Sequence, residues 1–251
     1  MACLRLHDVT LGYDRHPAVH HLSGEVPSGT LLAVVGPNGA GKSTLFRGIV
    51  GLLKPLAGTI AIDGGKPRDI AYLPQLADID RSFPISVFDF VGMGLLRRTG
   101  LFGRIGARDR DAIEHVLGQV GLTGFEARAI GTLSGGQMQR MLFARLMLQD
   151  ARVIVLDEPF NAIDAKTSAD LLALVRNWHA EGRTVLAALH DIDLVRANFP
   201  QTLLLAREPV GWGPTGEVLT ADNLAIARRM CEAFDDAAAA CAADLPPAHA
   251  A

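Results

Sequence analysis

Cysteine is scarce in this sequence, with three residues, Cys3, Cys231 and Cys241, none in a C-x-x-C pair. Their scatter excludes a disulfide framework and a cysteine zinc site, and fits reduced thiols. No segment approaches the ~18–20 consecutive apolar residues of a helical membrane span, so membrane attachment is expected to come through a partner. The start, Met1-Ala2-Cys3-Leu4-Arg5, lacks the charged head and apolar stretch of a signal peptide. Positive charge is not in excess either. The 24 Lys and Arg against 27 Asp and Glu leave a formal charge of -3, which offers no field for holding nucleic acid. No internal repeat is visible. What is present is ordinary for a globular chain: 251 residues, 49% hydrophobic and 20% charged, ample for a buried core.

The near-alternation of Leu4, Leu6, Val9, Leu11 and Tyr13 predicts a half-buried strand. Residues 31–35 form a short apolar run that ends at a glycine-rich loop, with a helix expected from Ser43. Residues 59–65 predict a strand closed by a turn, and 87–119 a helical stretch interrupted at 99–107. Two brief apolar runs, 153–156 and 184–189, are separated by a helical pattern over 165–180. Continuous apolar strands alternating with helices predict an α/β fold with a parallel sheet covered on both faces. His16, His20 and His21 flank Pro17 with no acid set or cysteine nearby, which predicts a solvated turn rather than a metal site. After Phe234 the Ala-rich run ending in Leu245-Pro246-Pro247-Ala248-His249 predicts a frayed helix leading into disorder.

Three segments carry chemistry. Gly36-Pro37-Asn38-Gly39-Ala40-Gly41-Lys42-Ser43 fits G-x-x-x-x-G-K-S, followed by Thr44 and set between a strand and a helix. Its glycines let backbone N–H groups converge on a phosphate, and the helix start adds unpaired donors and a positive dipole end. Lys42 supplies charge for the β- and γ-phosphates of a nucleotide, and the Ser43 hydroxyl can ligate Mg²⁺. Val153-Ile154-Val155-Leu156-Asp157-Glu158 is an apolar strand delivering two consecutive carboxylates at the edge where doubly wound sheets bind ligands. Neighbouring side chains diverge, so Asp157 is expected to hold Mg²⁺ through water and Glu158 to polarise the attacking water. Leu133-Ser134-Gly135-Gly136-Gln137 opens a helix over 138–148. Ser134 and Gln137 have the spacing of a capping box, whereas two consecutive glycines suit a second anion-binding helix start.

Together these segments resemble the ATP-binding-cassette ATPases, whose signature is LSGGQ, over nearly the whole chain before the Ala-rich tail. The resemblance implies a P-loop core with an N-terminal antiparallel β portion and an inserted helical subdomain at about 87–150. It implies one ATPase domain over 1–235, with 236–251 as a tail. Tyr13 matches the aromatic that stacks on adenine, and Gln75, in Leu73-Pro74-Gln75, the glutamine that ligates Mg²⁺ and senses the transmembrane partner. His190 matches the switch histidine on the γ-phosphate. Asn161-Ala162-Ile163-Asp164 matches the loop that crosses between subunits, departing from the commoner Ser-Ala-Leu-Asp, with Asp164 retained. With one phosphate loop and one signature per chain, the resemblance implies a homodimer sandwiching two ATP, each touched in trans by Ser134, Gly135, Gly136 and Gln137.

The resemblance further implies a peripheral subunit on the cytoplasmic face of the inner membrane, working with a separate integral permease and an extracytoplasmic metal-binding protein. A soluble cassette protein acting on nucleic acid or ribosomes is the alternative, against which stand the single cassette and the slight acidity. The stretches Phe83-Pro84-Ile85-Ser86-Val87, Asp89, Val91, Met93-Gly94, Leu101-Phe102-Gly103, Gly121-Leu122 and Ile130-Gly131-Thr132-Leu133 resemble importers of zinc, manganese or iron(II). Trp212-Gly213-Pro214-Thr215-Gly216-Glu217-Val218-Leu219-Thr220 looks most like zinc members. Siderophore and haem importers are the related alternative.

Overall fold

The computed structural model describes residues 2–13, 16–76, 79–100 and 103–233. The Ala-rich tail, and Leu101 and Phe102 of the importer-like stretch, lie outside the described residues. The chain divides into two compact units, one formed by Met1–Arg68 and Leu186–Ala251, the other by Asp69–Val185.

The first unit opens with strands β1 (Ala2–Tyr13) and β2 (His16–Pro27), and with β4 (Ala57–Ile62) they make an antiparallel sheet in the order β2-β1-β4. Leu4, Leu6, Val9 and Leu11 of β1 are buried, as their alternation demands. His16, His20 and His21 correct the expected turn: they lie within β2, with Tyr13 opposite His16 and Leu11 opposite Val19. Two features masked the strand. Pro17 is tolerated because β2 is at the edge of this sheet, where a missing N–H costs no ladder bond. Register shifts, with Asp8 at φ 49° and His21 at φ 47°, break the period-2 pattern as bulges do.

The same unit holds β3 (Leu31–Val35), helix α1 (Lys42–Ile49), β8 (Gln201–Ala206) and β9 (Glu208–Pro214). β3 and β8 pair parallel and β8 and β9 antiparallel, the reversal turning at Arg207 with φ 64°. All five residues of β3 are buried, which explains its continuous apolar run. Trp212 of β9 packs against Gly24 of β2, where a Cβ would collide with the indole at 2.4 Å. Helices α7 (Ile192–Asn198), α8 (Thr215–Val218) and α9 (Ala221–Ala233) complete the unit.

In the second unit β5 (Ala71–Leu73) and β6 (Val153–Asp157) pair parallel, Leu73 opposite Leu156. The helices α2 (Val87–Gly92), α3 (Leu96–Thr99), α4 (Ala107–Gln119) and α5 (Gly135–Gln149) fall in sequence between those strands. Thus the fold is α/β with an antiparallel N-terminal sheet, a parallel core and a helical insert. α5 is the spine of the insert, with Met138, Met141, Leu142 and Phe143 buried. Phe143 stacks on Trp178 of α6 (Ala165–Ala180), ring centroids 5.5 Å apart. The guanidinium of half-buried Arg145 donates to the Tyr72 carbonyl at 3.1 Å and sits over the Phe90 ring, so α5 grips both β5 and α2. Burial lowers its pKa from the usual arginine value. Strand β7 (Thr184–Leu189), wholly buried, carries the chain from the second unit back to the first. Among the described residues no helix is long and apolar enough to cross a membrane.

Candidate functional site

In the first unit the phosphate loop runs from the end of β3 to the start of α1. Gly39 and Gly41 have φ of 80° and 93°, the left-handed region that glycine enters without strain. A Cβ at Gly36 would lie 2.0 Å from the Leu205 carbonyl oxygen, and one at Gly41 would lie 2.4 Å from that of Ala18. The loop is therefore pressed against its own supporting strands, and Ala40 is locked by accepting the Arg207 N–H at 3.0 Å. Lys42 is only 5% exposed, its ammonium donating to the carbonyls of Gly36 at 2.8 Å and Pro37 at 3.0 Å. A buried ammonium is costly unless paired, and these two carbonyls hold it ready beside the loop amides. Ser43 and Thr44 follow in the first turn of α1.

Tyr13 ends β1 with 45% of its surface exposed, and its hydroxyl accepts from Arg47 at 3.1 Å, leaving the ring available for stacking. His190, just past β7, lines a cavity of about 330 Å³ with Gly36, Pro37, Asn38 and Arg228 of α9. The sequence offered no motif that singles out Arg228. Gly36→Ala is expected to weaken ATP binding by at least about tenfold and to lower the melting temperature, since the new methyl displaces the loop from Leu205. Nucleotide titration and thermal unfolding of the variant would check both.

The second unit gathers the acidic groups. Asp157, 1% exposed, ends β6, and Glu158 follows at φ 53°. One oxygen of Glu158, Oε2, accepts two hydrogen bonds, from Gln75 Nε2 at 2.9 Å and from Asn161 Nδ2 at 3.1 Å. A cavity of about 430 Å³ opens on Gln75, Arg81, Glu158 and Asn161. Gln75 sits two residues past β5, the strand fixed by Arg145. The side-chain contact of Asn161 to Glu158 was not legible in the sequence, where 161 counted only as part of a loop facing a second subunit.

The capping geometry at Ser134 is realised: its hydroxyl accepts from Gln137 N at 3.3 Å and the Gln137 carboxamide accepts from Ser134 N at 3.0 Å. Gly135 and Gly136 begin α5, and a Cβ at Gly136 would lie 3.4 Å from Asp164 Oδ2. Asp164 caps α6 by accepting from Thr167 N at 2.9 Å and Thr167 Oγ1 at 2.7 Å, which hold its carboxyl below the usual aspartate range. A depressed folded value stabilises above the ordinary aspartate pKa, and the contribution is lost as pH falls through that lower value. Asp164→Ala should therefore lower the melting temperature at neutral pH, with the gap to the parent closing in acid. Unfolding curves across pH would test it.

A strand, a glycine cradle with a buried lysine and a helix start define a phosphate-loop protein of the nucleoside-triphosphate-binding class. A second helix opening on Ser-Gly-Gly and an Asp-Glu pair at a strand end narrow the class. The ABC transporter family model matches residues 19–161, and the chain belongs to that family; its activity is ATP hydrolysis. It is similar to a manganese transport system ATP-binding protein of Listeria monocytogenes, 37% identical over 229 residues, 89% of this chain and 95% of that protein. It is equally similar, at 37% over 223 residues, to a protein assigned to a metal transport system in Chlamydia pneumoniae, covering 87% of this chain and 86% of the relative. Among solved structures it resembles an inward-facing ABC transporter described as of metal-chelate type. That match has a TM-score of 0.81 and 29% identity, over 91% of this chain and 90% of the other.

Proposed function

We propose that the chain is the ATP-hydrolysing subunit of an importer that takes up a divalent transition-metal ion, manganese first, through a separate integral membrane permease. The observation that carries this is the similarity across 95% of a relative named for manganese transport. Zinc is the metal suggested by Trp212 to Thr220, but Trp212 packs on Gly24, and Val218 lies where a Cβ at Gly211 would come within 3.3 Å of it. Those residues have reasons of fold to be what they are, so manganese has the stronger support. The solved structure described as of metal-chelate type favours a second reading, a chelated-metal importer.

In the working cycle, residues 1–235 act as one ATPase domain. Tyr13 stacks on adenine, and the amides of Gly36 to Thr44 with the Lys42 ammonium hold the β- and γ-phosphates. The donors offered for Mg²⁺ are a hydroxyl (Ser43), a carboxamide (Gln75) and a carboxylate (Asp157), the hard oxygen set that ion takes. Bound there, Mg²⁺ would neutralise charge on the phosphates. Glu158 orients and polarises the attacking water, and His190 contacts the γ-phosphate. A second copy supplies Ser134, Gly135, Gly136 and Gln137 in trans, with Asp164 in the loop that crosses the twofold axis.

Phe83 and Met93, exposed apolar side chains of the second unit, suit a permease docking face. The subunit then sits peripherally on the cytoplasmic face of the membrane, with an extracytoplasmic metal-binding protein delivering cargo. Deleting the gene and measuring cell-associated manganese, zinc and iron by mass spectrometry decides the metal. Loss of manganese accumulation, with growth failing under manganese limitation, is expected. A deletion strain that loses only zinc, or only chelated iron, would overturn the manganese assignment in favour of that cargo.

A further inference from the structure

The loop after Glu158 departs from the family's commoner Ser at residue 161, and the departure has a geometric consequence within one chain. A glutamate carboxylate turns freely about its last torsion, so its lone pairs are not aimed unless neighbours aim them. Here two carboxamides converge on the same oxygen: Gln75 Nε2 at 2.9 Å and Asn161 Nδ2 at 3.1 Å from Glu158 Oε2. The reach of Asn161 depends on a strained turn. Glu158 and Ala162 both adopt left-handed backbone at φ 53° and 55° without being glycine, and Asn161 N donates to the Glu158 carbonyl at 3.3 Å. Left-handed backbone in such residues persists only where the surroundings enforce it, and it concentrates at functional sites. A serine at 161, one bond shorter and ending in a hydroxyl, does not reproduce that reach or the amide donor.

We propose that Asn161 is a positioning residue for Glu158: its carboxamide, acting with Gln75, fixes the rotation of the carboxylate that aims the attacking water. This rests on Glu158 acting on that water. Asn161 touches neither nucleotide nor water in this role. Its removal should therefore change turnover and leave ATP affinity alone. The donor matters, not the shape.

The test uses the full-length chain. Asn161→Ala should lower kcat by about tenfold, the loss of one hydrogen bond to a charged group, with KM for ATP within about twofold. Asn161→Asp, nearly the same shape and a good turn residue, should lose at least as much, because it sets an acceptor and a like charge against Glu158 Oε2. Asn161→Gln, which keeps the donor on a longer arm, should recover part of the rate. In a Glu158→Gln background, adding Asn161→Ala should change the residual rate little, since the two act as one unit. ATP affinity measured by calorimetry and melting temperature accompany each variant. If Asn161→Asp retains parental kcat, or if Asn161→Ala raises KM with kcat unchanged, the positioning role is wrong. If Glu158→Gln itself hydrolyses ATP normally, the prior assignment of Glu158 has failed instead, and the two failures are told apart by that one variant.

Discussion

Glu158→Gln is expected to reduce ATP turnover by about a hundredfold or more while leaving ATP affinity nearly intact, the usual scale for losing a positioned proton acceptor. The amide keeps the length and shape of the side chain. It also keeps an oxygen to accept from Gln75 and Asn161, which now bond to Glu158 Oε2 at 2.9 and 3.1 Å. The local packing should therefore survive, and a fall in kcat cannot be charged to unfolding. With hydrolysis blocked, ATP should accumulate between two copies and hold them together, because in the proposed cycle the γ-phosphate is what both chains contact. Gel filtration with ATP and Mg²⁺ should then show a dimer, and ADP a monomer. A monomer under both conditions would remove the trans role given to Ser134 and its neighbours.

Lys42→Ala should cost more than a hundredfold in ATP affinity, the scale of truncating one member of a buried charge pair, and with it all measurable turnover. A second effect distinguishes this variant. In the resting chain the ammonium satisfies the carbonyls of Gly36 and Pro37 at 2.8 and 3.0 Å. Its removal leaves both half-buried acceptors without that donor, and losing charge-assisted hydrogen bonds destabilises. The melting temperature should drop even without nucleotide, whereas Glu158→Gln should leave it close to the parent. Fluorescent-nucleotide titration and differential scanning fluorimetry on the two variants give four numbers. Wild-type ATP affinity in Lys42→Ala would contradict the phosphate-binding role outright.

How much of this was legible before the structure depended on whether a residue's neighbours were local. Leu31 to Val35, Ala165 to Ala180 and Thr184 to Leu189 were readable to the residue, since a fully buried strand is apolar throughout and a helix of 16 residues repeats its pattern four times. β2 was not, because its bulges and Pro17 scramble the alternation that identifies a strand. β9 carried no strand signal: Pro209, Gly211, Gly213 and Pro214 interrupt any alternation, and its pairing with β8 is what makes it a strand. The phosphate loop, the Asp157-Glu158 pair and the Ser134 helix start are contiguous motifs and were visible at once. The bond of Asn161 to Glu158 was not legible, because it accompanies a left-handed backbone at the glutamate that no residue type announces. Arg228 comes to the cavity beside His190 from nearly 40 residues on, with no motif to mark it.

The grip of Arg145 on the Tyr72 carbonyl joins two stations of the second unit into one stiff piece. Ser134 caps one end of α5, and Arg145 lies about 16 Å along the same rod, at 1.5 Å of rise per residue. The far end of that rod holds the short strand from which Gln75 departs. Within this unit, then, the signature end and the glutamine end cannot be displaced independently without bending a helix or breaking a charged contact made away from water. A tilt that keeps both the helix and the Arg145 contact intact therefore has to carry both ends together, as a crankshaft does.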